Sequence, residues 1–192
     1  MPSGLKWATC NVGANSLEEA GDYFAWGEVE PKKNYSWDTY KHGSGKNELT
    51  KYCFDTEYGK DGFTDDKNIL DPEDDAASVN WGGKWRMPAM EEQQELILNC
   101  ECVWTTENGV KGCKVIGKNG NSIFLPAAYY MDHDKLLNSE MYGLFWSSST
   151  QLPDFFGSYK PCNANYMYCN SDGLEGTRAL RYFGLSVCPV CP

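Results

Sequence analysis

Two Asn-Gly pairs, at residues 108–109 and 119–120, each lie between short runs rich in β-branched and aromatic residues. Asn and Gly tolerate the positive φ angles that tight hairpin turns require. The runs 103–106, 114–116 and 123–125 therefore predict three consecutive antiparallel strands, a β-meander.

Helical signals are few, and they precede these strands. Ser16 and Glu19 have the spacing of a capping box, which predicts a short helix starting there. Asp71, followed by Pro72 and several acidic residues, predicts a second helix start. The strongest helical pattern covers residues 88–99, where apolar residues fall on one face and glutamates on the other.

Two or three short helices followed by a run of strands predict an α+β fold with antiparallel sheet and long loops. The length of 192 residues suits a single domain, residues 1–192, with a sizeable core. Residues 41–68 combine glycines with scattered charges, and we expect them to form a surface insertion.

The charge balance excludes several classes of partner. The net charge is −10, and the 17 basic residues are dispersed along the chain, whereas phosphate binding needs clustered Lys and Arg. We therefore expect no nucleic acid and no anionic membrane surface as partner. No apolar run is long enough for membrane insertion, and residues 1–7 lack the regions of a signal peptide. A protein made without an export signal and a trimmed mature domain both remain open.

The chain has nine cysteines, so at least one is unpaired if the others form disulfides. Cys188 and Cys191 have the C-x-x-C spacing of a redox or zinc pair, but no second such pair exists. His42 and His133 are the only histidines. This pattern favours structural or reducible thiols over a metal site or catalysis. We expect no metal, no cofactor and folding without zinc.

The last third of the chain has an unusual mixture of side chains. Tyr and Phe alternate irregularly with Gly and Asn beyond residue 149, without a helical or strand period. Large rigid aromatics beside adaptable polar residues are typical of antibody-like binding surfaces. The alternative is a loop-rich β region whose aromatics fill the core.

Five segments in order carry a family resemblance: residues 5–14 (LKWATCNVGA), 21–28 (GDYFAWGE), 85–88 (WRMP), 124–128 (FLPAA) and 145–149 (FWSSS). Together they resemble a C-type-lectin-like domain. The branch is the one shared by formylglycine-generating-type domains, by related gut bacterial surface domains and by the variable proteins of diversity-generating retroelements. The resemblance covers nearly the whole chain and implies a C-type-lectin-like fold.

The C-terminal segment is most similar to the retroelement variable proteins, which implies a variable ligand-binding region at residues 145–187. Its constant positions would be 145–149, 170–171, 181, 184 and 186–187, and its variable positions 150–156, 174–180, 182–183 and 185. The ligand-binding residues implied by this resemblance are Asp154, Phe155, Phe156, Tyr166, Tyr168, Arg178, Leu180, Tyr182, Phe183 and Leu185.

The resemblance implies a receptor-like binding protein rather than an enzyme. Its partner would be a protein or other macromolecular ligand on a cell or virion surface, and the chain itself would be displayed at a cell surface, extracellularly or on a phage virion. Its oligomeric state stays open. An invariant surface adhesin or structural module of the same fold is the alternative. A formylglycine-generating-type oxidase is disfavoured, because Cys188 stands where the family usually has Arg and matches neither catalytic thiol.

Two further expectations follow from the same resemblance. Glu30-Pro31-Lys32 replaces the Glu-Pro-Asn phrase of sugar-binding lectins, so we expect no calcium-dependent sugar site. Trp7, Trp26, Trp85 and Trp146 each lie in a scaffold segment, and burying such large rings dominates core energetics. We therefore expect all four to be substantially buried.

Overall fold

A computed structural model describes residues 3–137, 140–150 and 160–192. Within them the chain is a mixed α+β structure with few helices and several antiparallel sheets. The helices are α1 (Ala76–Trp81) and α2 (Met90–Asn99), with short 3-10 turns at Trp37–Thr39, Lys60–Gly62 and Pro72–Asp74. The strands are β1 (Lys6–Trp7), β2 (Glu101–Glu107), β3 (Val110–Ile116), β4 (Ser122–Pro126), β5 (Tyr130–Asp132), β6 (Lys135–Leu137), β7 (Gly143–Thr150), β8 (Asn163–Asn170), β9 (Gly173–Leu180) and β10 (Val190–Cys191).

The predicted meander is confirmed as the antiparallel sheet β2-β3-β4. Asn108 and Gly109 connect β2 to β3 with φ angles of 49° and 87°, as a type I′ turn requires. A disulfide joins Cys102 to Cys113 across the same two strands. Cys113 and Val115 face the core.

A second antiparallel sheet, β7-β8-β9, is formed from the C-terminal third of the chain. Phe145 and Met167 are paired residues on the inner side of this sheet, where they share a core cluster with Leu96 of α2 and Leu125 of β4. The final strand β10 pairs with β1, which brings Val190 opposite Trp7. Cys188 is buried just before this strand.

The predicted helix over residues 88–99 is confirmed as α2. Ala89 stands at its N-cap without a side-chain oxygen, and the Glu92 carboxylate accepts a hydrogen bond from the Ala89 N–H at 2.8 Å. Arg86 donates two further hydrogen bonds to the same carboxylate, at 2.7 and 2.6 Å. This end of the helix is therefore held by Glu92 instead of a capping hydroxyl.

The other two helix predictions need correction. Residues around Ser16 and Glu19 form a turn, and the side chain of Asn11 donates to the carbonyls of Glu19 and Ala20, which removes them from a helical ladder. At the second start, Asp71 precedes only a 3-10 turn. The cap of α1 is Asp75, whose carboxylate accepts hydrogen bonds from the N–H groups of Ser78 and Met87 at 2.9 Å.

Two tryptophans join distant parts of the chain at the centre of the core. The indole N–H of Trp26 donates to the Ser147 carbonyl, and the indole N–H of Trp146 donates to the Phe24 carbonyl, both at 2.8 Å. Both rings are fully buried. Trp7 and Trp85 are half-buried, so none of the four scaffold tryptophans is mostly exposed.

Arg181 is the largest charged side chain in the core and is completely buried. Its guanidinium lies 4.8 Å from the ring centre of Trp26 and donates to the carbonyls of Lys51 and Tyr52 at 3.2 and 2.7 Å. Tyr52 and Leu49 are themselves fully buried. Residues 41–68, expected to form a surface insertion, are thus partly embedded in the core, because Arg181 needs their carbonyls as acceptors.

Asp74 lies at the centre of a buried polar cluster. Its carboxylate accepts hydrogen bonds from Lys41 and Lys51, both at 2.6 Å, and from the Tyr52 hydroxyl at 2.7 Å. Burial opposes ionisation, but these hydrogen bonds outweigh it and lower the pKa of Asp74 to about 2. The cluster therefore ties residues 41–52 to the start of α1.

We expect that replacing either central tryptophan with Phe lowers the free energy of unfolding by about 2 to 4 kcal/mol, because each change leaves a cavity and removes a buried hydrogen bond. Urea unfolding of Trp26→Phe and Trp146→Phe measures this loss. Trp81→Phe is the matched control, since Trp81 is 36% exposed and its loss should cost under about 1 kcal/mol. Equal losses in all three variants would contradict the central role of the two buried rings.

Asp74 should also make stability depend on pH. The pKa of Asp74 is about 2 in the folded protein, against 3.8 for an aspartate in the unfolded chain. The ionised carboxylate therefore stabilises the fold above pH 4, and this contribution disappears as the pH falls towards 2. The difference corresponds to about 2 kcal/mol. Urea unfolding of the wild type and Asp74→Asn between pH 7 and pH 2 should therefore show two stabilities that converge at low pH. A stability difference between the two proteins that stays the same at every pH would contradict this role of Asp74.

Candidate ligand-binding groove

Strand β8 places its side chains on two different surfaces. Met167 and Cys169 point into the core cluster beside α2, whereas Tyr166 and Tyr168 lie on the opposite face, called the outer face, and are half-buried. Near Trp146 this outer face is covered by the central core, against which Tyr166 packs. This alternation follows from the two-residue period of a β-strand. The neighbouring strand β7 adds Leu144 to the outer face, directly opposite Tyr168.

The outer face forms a groove of about 800 Å³. Its walls come from β3, β5, β7, β8 and the residues before β7. The lining residues are Lys111, Tyr130, Glu140, Met141, Tyr142, Leu144, Tyr166, Tyr168 and Asn170. A concave surface of this size, lined mostly by aromatic and aliphatic side chains with a few polar groups, is typical of a ligand site.

Ring contacts connect the groove to the core. Trp146 lies 6.0 Å from Tyr166, Tyr166 lies 6.4 Å from Tyr168, and Tyr168 lies 6.1 Å from Tyr142, measured between ring centres. The first ring is fully buried and Tyr142, the last, is 39% exposed. The groove aromatics are therefore held in position by the buried tryptophan, and the entropy cost of ordering them on ligand binding is small.

Two of the groove tyrosines, Tyr166 and Tyr168, have a raised pKa and stay protonated at neutral pH. The Tyr168 hydroxyl donates to the Glu175 carboxylate on β9, and this hydrogen bond raises the pKa of Tyr168 to about 12. Burial raises the pKa of Tyr166. At the rim, Lys111 Nζ lies 3.7 Å from a Glu140 carboxylate oxygen. The site thus combines neutral aromatic hydroxyls with carboxylates along its edge.

The predicted ligand-binding residues are divided among several places. Tyr166 and Tyr168 lie in the groove, and Phe183 is half-buried against Tyr130, with 5.5 Å between ring centres. Leu180 is half-buried at the end of β9. Asp154, Phe155 and Phe156 lie outside the described residues.

Two predicted contact residues belong to the core. Leu185 is fully buried, because it pairs with Phe24 in an antiparallel bridge that closes the central core. Tyr182 is 8% exposed and packs on Trp37, with 5.2 Å between ring centres. Neither side chain can form a large ligand contact in this arrangement, so both are corrected from surface to scaffold.

Arg178 is exposed on the opposite face of the same sheet from the tyrosines. It pairs with Asn165 on β8, one residue out of phase with Tyr166 and Tyr168. There it lines a smaller groove of about 270 Å³ between β9 and α2, with Gln94 and Ile97 on the helix side. Tyr166 lines both grooves, whereas Tyr168 lines only the larger one and Arg178 only the smaller one.

Sequence reasoning missed most of the groove. Tyr166 and Tyr168 were predicted to bind ligand, whereas the other seven lining residues were not: Lys111, Tyr130, Glu140, Met141, Tyr142, Leu144 and Asn170. The available signal was the apolar pair Met141 and Tyr142, which two residues separate from the scaffold run 145–149. A contact surface built from separate segments has no sequence period that could reveal it.

The positions expected to be constant are mostly core. Phe145, Trp146, Arg181, Ser186 and Val187 are all fully buried. By contrast, the variable stretch 175–178 is exposed along β9. Substitutions there would change the surface without changing the core.

Comparisons with protein-family models, with curated proteins and with solved structures gave no match to this chain. Among the described residues, no cluster of three or more His, Cys, Asp or Glu side chains is arranged to hold a metal ion. No helix in the described part of the chain is both long and apolar enough to cross a membrane.

The groove and the core should respond differently to truncation. Tyr142→Ala and Tyr168→Ala should each change the free energy of unfolding by less than about 1.5 kcal/mol, because their rings lie on the surface. Tyr182→Ala and Leu185→Ala should each cost about 2 to 5 kcal/mol, because they open cavities. Thermal and urea unfolding of the four variants measures the contrast. Unfolding of the Tyr142 or Tyr168 variant would show that the groove is scaffold.

Proposed function

We propose that this chain is a receptor-like binding protein that presents an aromatic ligand site on a C-type-lectin-like scaffold. In this proposal it is a variable protein of a diversity-generating retroelement. Its ligand is a protein or other macromolecule on a cell or virion surface, and the chain is displayed outside the cell or on a phage particle.

The observation that carries the proposal is the ordered tyrosine groove on the outer face of β7-β8-β9. Tyr142, Tyr166 and Tyr168 form a connected row of rings that starts at the buried Trp146. Tyrosine is the residue type that most often supplies interface hot spots together with Trp and Arg. A fixed aromatic row beside an exposed concavity is better suited to recognition than to filling a core.

The arrangement of constant and variable positions supports diversification of this surface. The sequence motifs that resemble the family lie in the core, including Trp26, Met87 and Trp146. Residues 175–178 are exposed and lie on the same sheet as the groove. A scaffold of this design tolerates surface substitutions, because stability and recognition depend on different residues.

The variable-protein proposal predicts a specific genetic signature. Sequencing the genomic neighbourhood should find a reverse-transcriptase gene and an imperfect repeat of the bases that encode the end of this chain. Among copies of the gene in one population, substitutions should concentrate in codons 150–156, 174–180, 182 and 183. Codon 185 should accept only apolar residues, since Leu185 is buried. An unvarying gene without the repeat would leave an invariant adhesin or structural module of the same fold.

Binding is tested separately from diversification. The purified chain and the double variant Tyr142→Ala/Tyr168→Ala are applied to the same arrays of surface proteins and glycans. We expect the variant not to bind the ligands that bind the wild type, since a hot-spot tyrosine contributes about 2 kcal/mol or more to the binding free energy. Ligands retained at full strength by a folded double variant would place recognition elsewhere on the molecule.

A further inference from the structure

The aromatic groove has an acidic edge. Glu175 pairs with Tyr168 across β8 and β9, so both side chains lie on the outer face, and the Tyr168 hydroxyl donates to the Glu175 carboxylate. Glu140 also lines the groove. Lys111 is the only basic residue among the lining residues that the structure describes. Its Nζ lies 3.7 Å from a carboxylate oxygen of Glu140.

This combination favours a positively charged ligand group. The faces of tyrosine rings attract cations, and this attraction reaches about 2 kcal/mol where the site is desolvated. The chain carries a net charge of −10, which concentrates cations near its surface and repels anions. An anionic ligand would meet the Glu175 and Glu140 carboxylates with a single Lys for compensation.

We propose that the groove accepts an arginine side chain from a protein or peptide ligand, with the guanidinium over the Tyr142 and Tyr168 rings and hydrogen-bonded to Glu175. This inference rests on the proposed binding function and specifies the chemistry of its ligand. Arginine fits better than lysine, because a planar guanidinium stacks on an aromatic ring while its N–H groups donate to a carboxylate.

The shape of the groove agrees with a side chain of this length. Tyr130 and Leu144 provide apolar walls at the inner end for the aliphatic part of an arginine, which packs on apolar surface while its charged end stays near polar groups. Asn170 adds an amide next to Tyr168. The volume of about 800 Å³ leaves space for the residues on both sides of the arginine.

The test uses two peptides that differ in charge and little in shape. Ac-Gly-Gly-Arg-Gly-Gly-NH2 and its citrulline counterpart are titrated separately into the ¹⁵N-labelled full chain. We expect the arginine peptide to bind about tenfold more tightly, because only it supplies the cation–π and charge-assisted contacts. The amide signals of Tyr142, Leu144 and Asn170 should shift as binding saturates.

Two substitutions assign the effect to the groove. Glu175→Gln and Tyr142→Ala should each reduce the preference for arginine over citrulline by about threefold or more. Glu57→Gln is the matched control, because it removes one exposed negative charge from the segment 41–68 and should leave the preference unchanged. An equal loss in the Glu57 variant would show that only net charge matters and would overturn the proposal.

Failure of this inference differs from failure of the proposed function. Equal affinity for both peptides, a preference for a glutamate peptide, or no shift with either peptide at millimolar concentration overturns the arginine assignment. If array ligands are nevertheless lost in Tyr142→Ala/Tyr168→Ala, the groove still binds, and its ligand is recognised by other chemistry. If the array ligands also persist in that variant, the groove is not the binding site.

Discussion

The structure depends on two reciprocal hydrogen bonds between buried indoles and backbone carbonyls. Trp26 donates to Ser147, and Trp146 donates to Phe24, so each tryptophan holds the segment that carries the other. A buried indole N–H without an acceptor is costly, and here each N–H is satisfied only when the N-terminal loop and β7 are in contact. The two rings therefore fix the relative position of segments that are far apart in the chain.

Arg181 extends the same constraint to the long loops. Its charge lies in the core over Trp26 and is matched by the carbonyls of Lys51, Tyr52 and Asn163. A buried cation stays in the core only when its donors are satisfied, so these carbonyls must be held in place. The Asp74 cluster helps to hold them, since the side chains of Lys51 and Tyr52 donate hydrogen bonds to the Asp74 carboxylate. Long irregular segments thereby gain fixed positions without regular secondary structure.

The rigid core makes the groove possible. Strand β8 uses alternate residues for two purposes, with Met167 and Cys169 in the core and Tyr166 and Tyr168 in the groove. Trp146 touches Tyr166 directly, so the ring that stabilises the fold also positions the aromatic row. The core and the groove thus use different side chains of the same strand.

The sequence by itself determined the features that depend on local physics. The Asn-Gly turns, the three meander strands, α2 and the burial of Trp26 and Trp146 follow from allowed φ angles, residue period and the burial of large rings. Tertiary structure alone decided where the side chains of the C-terminal third point. Leu185 lies in the core, where it pairs with Phe24, and Tyr182 is buried against Trp37. Arg178 lies on the opposite face of the sheet from Tyr168 because of its register on β9. The direction of a side chain depends on strand register and on partners distant in sequence, and these exist only once the chain has folded.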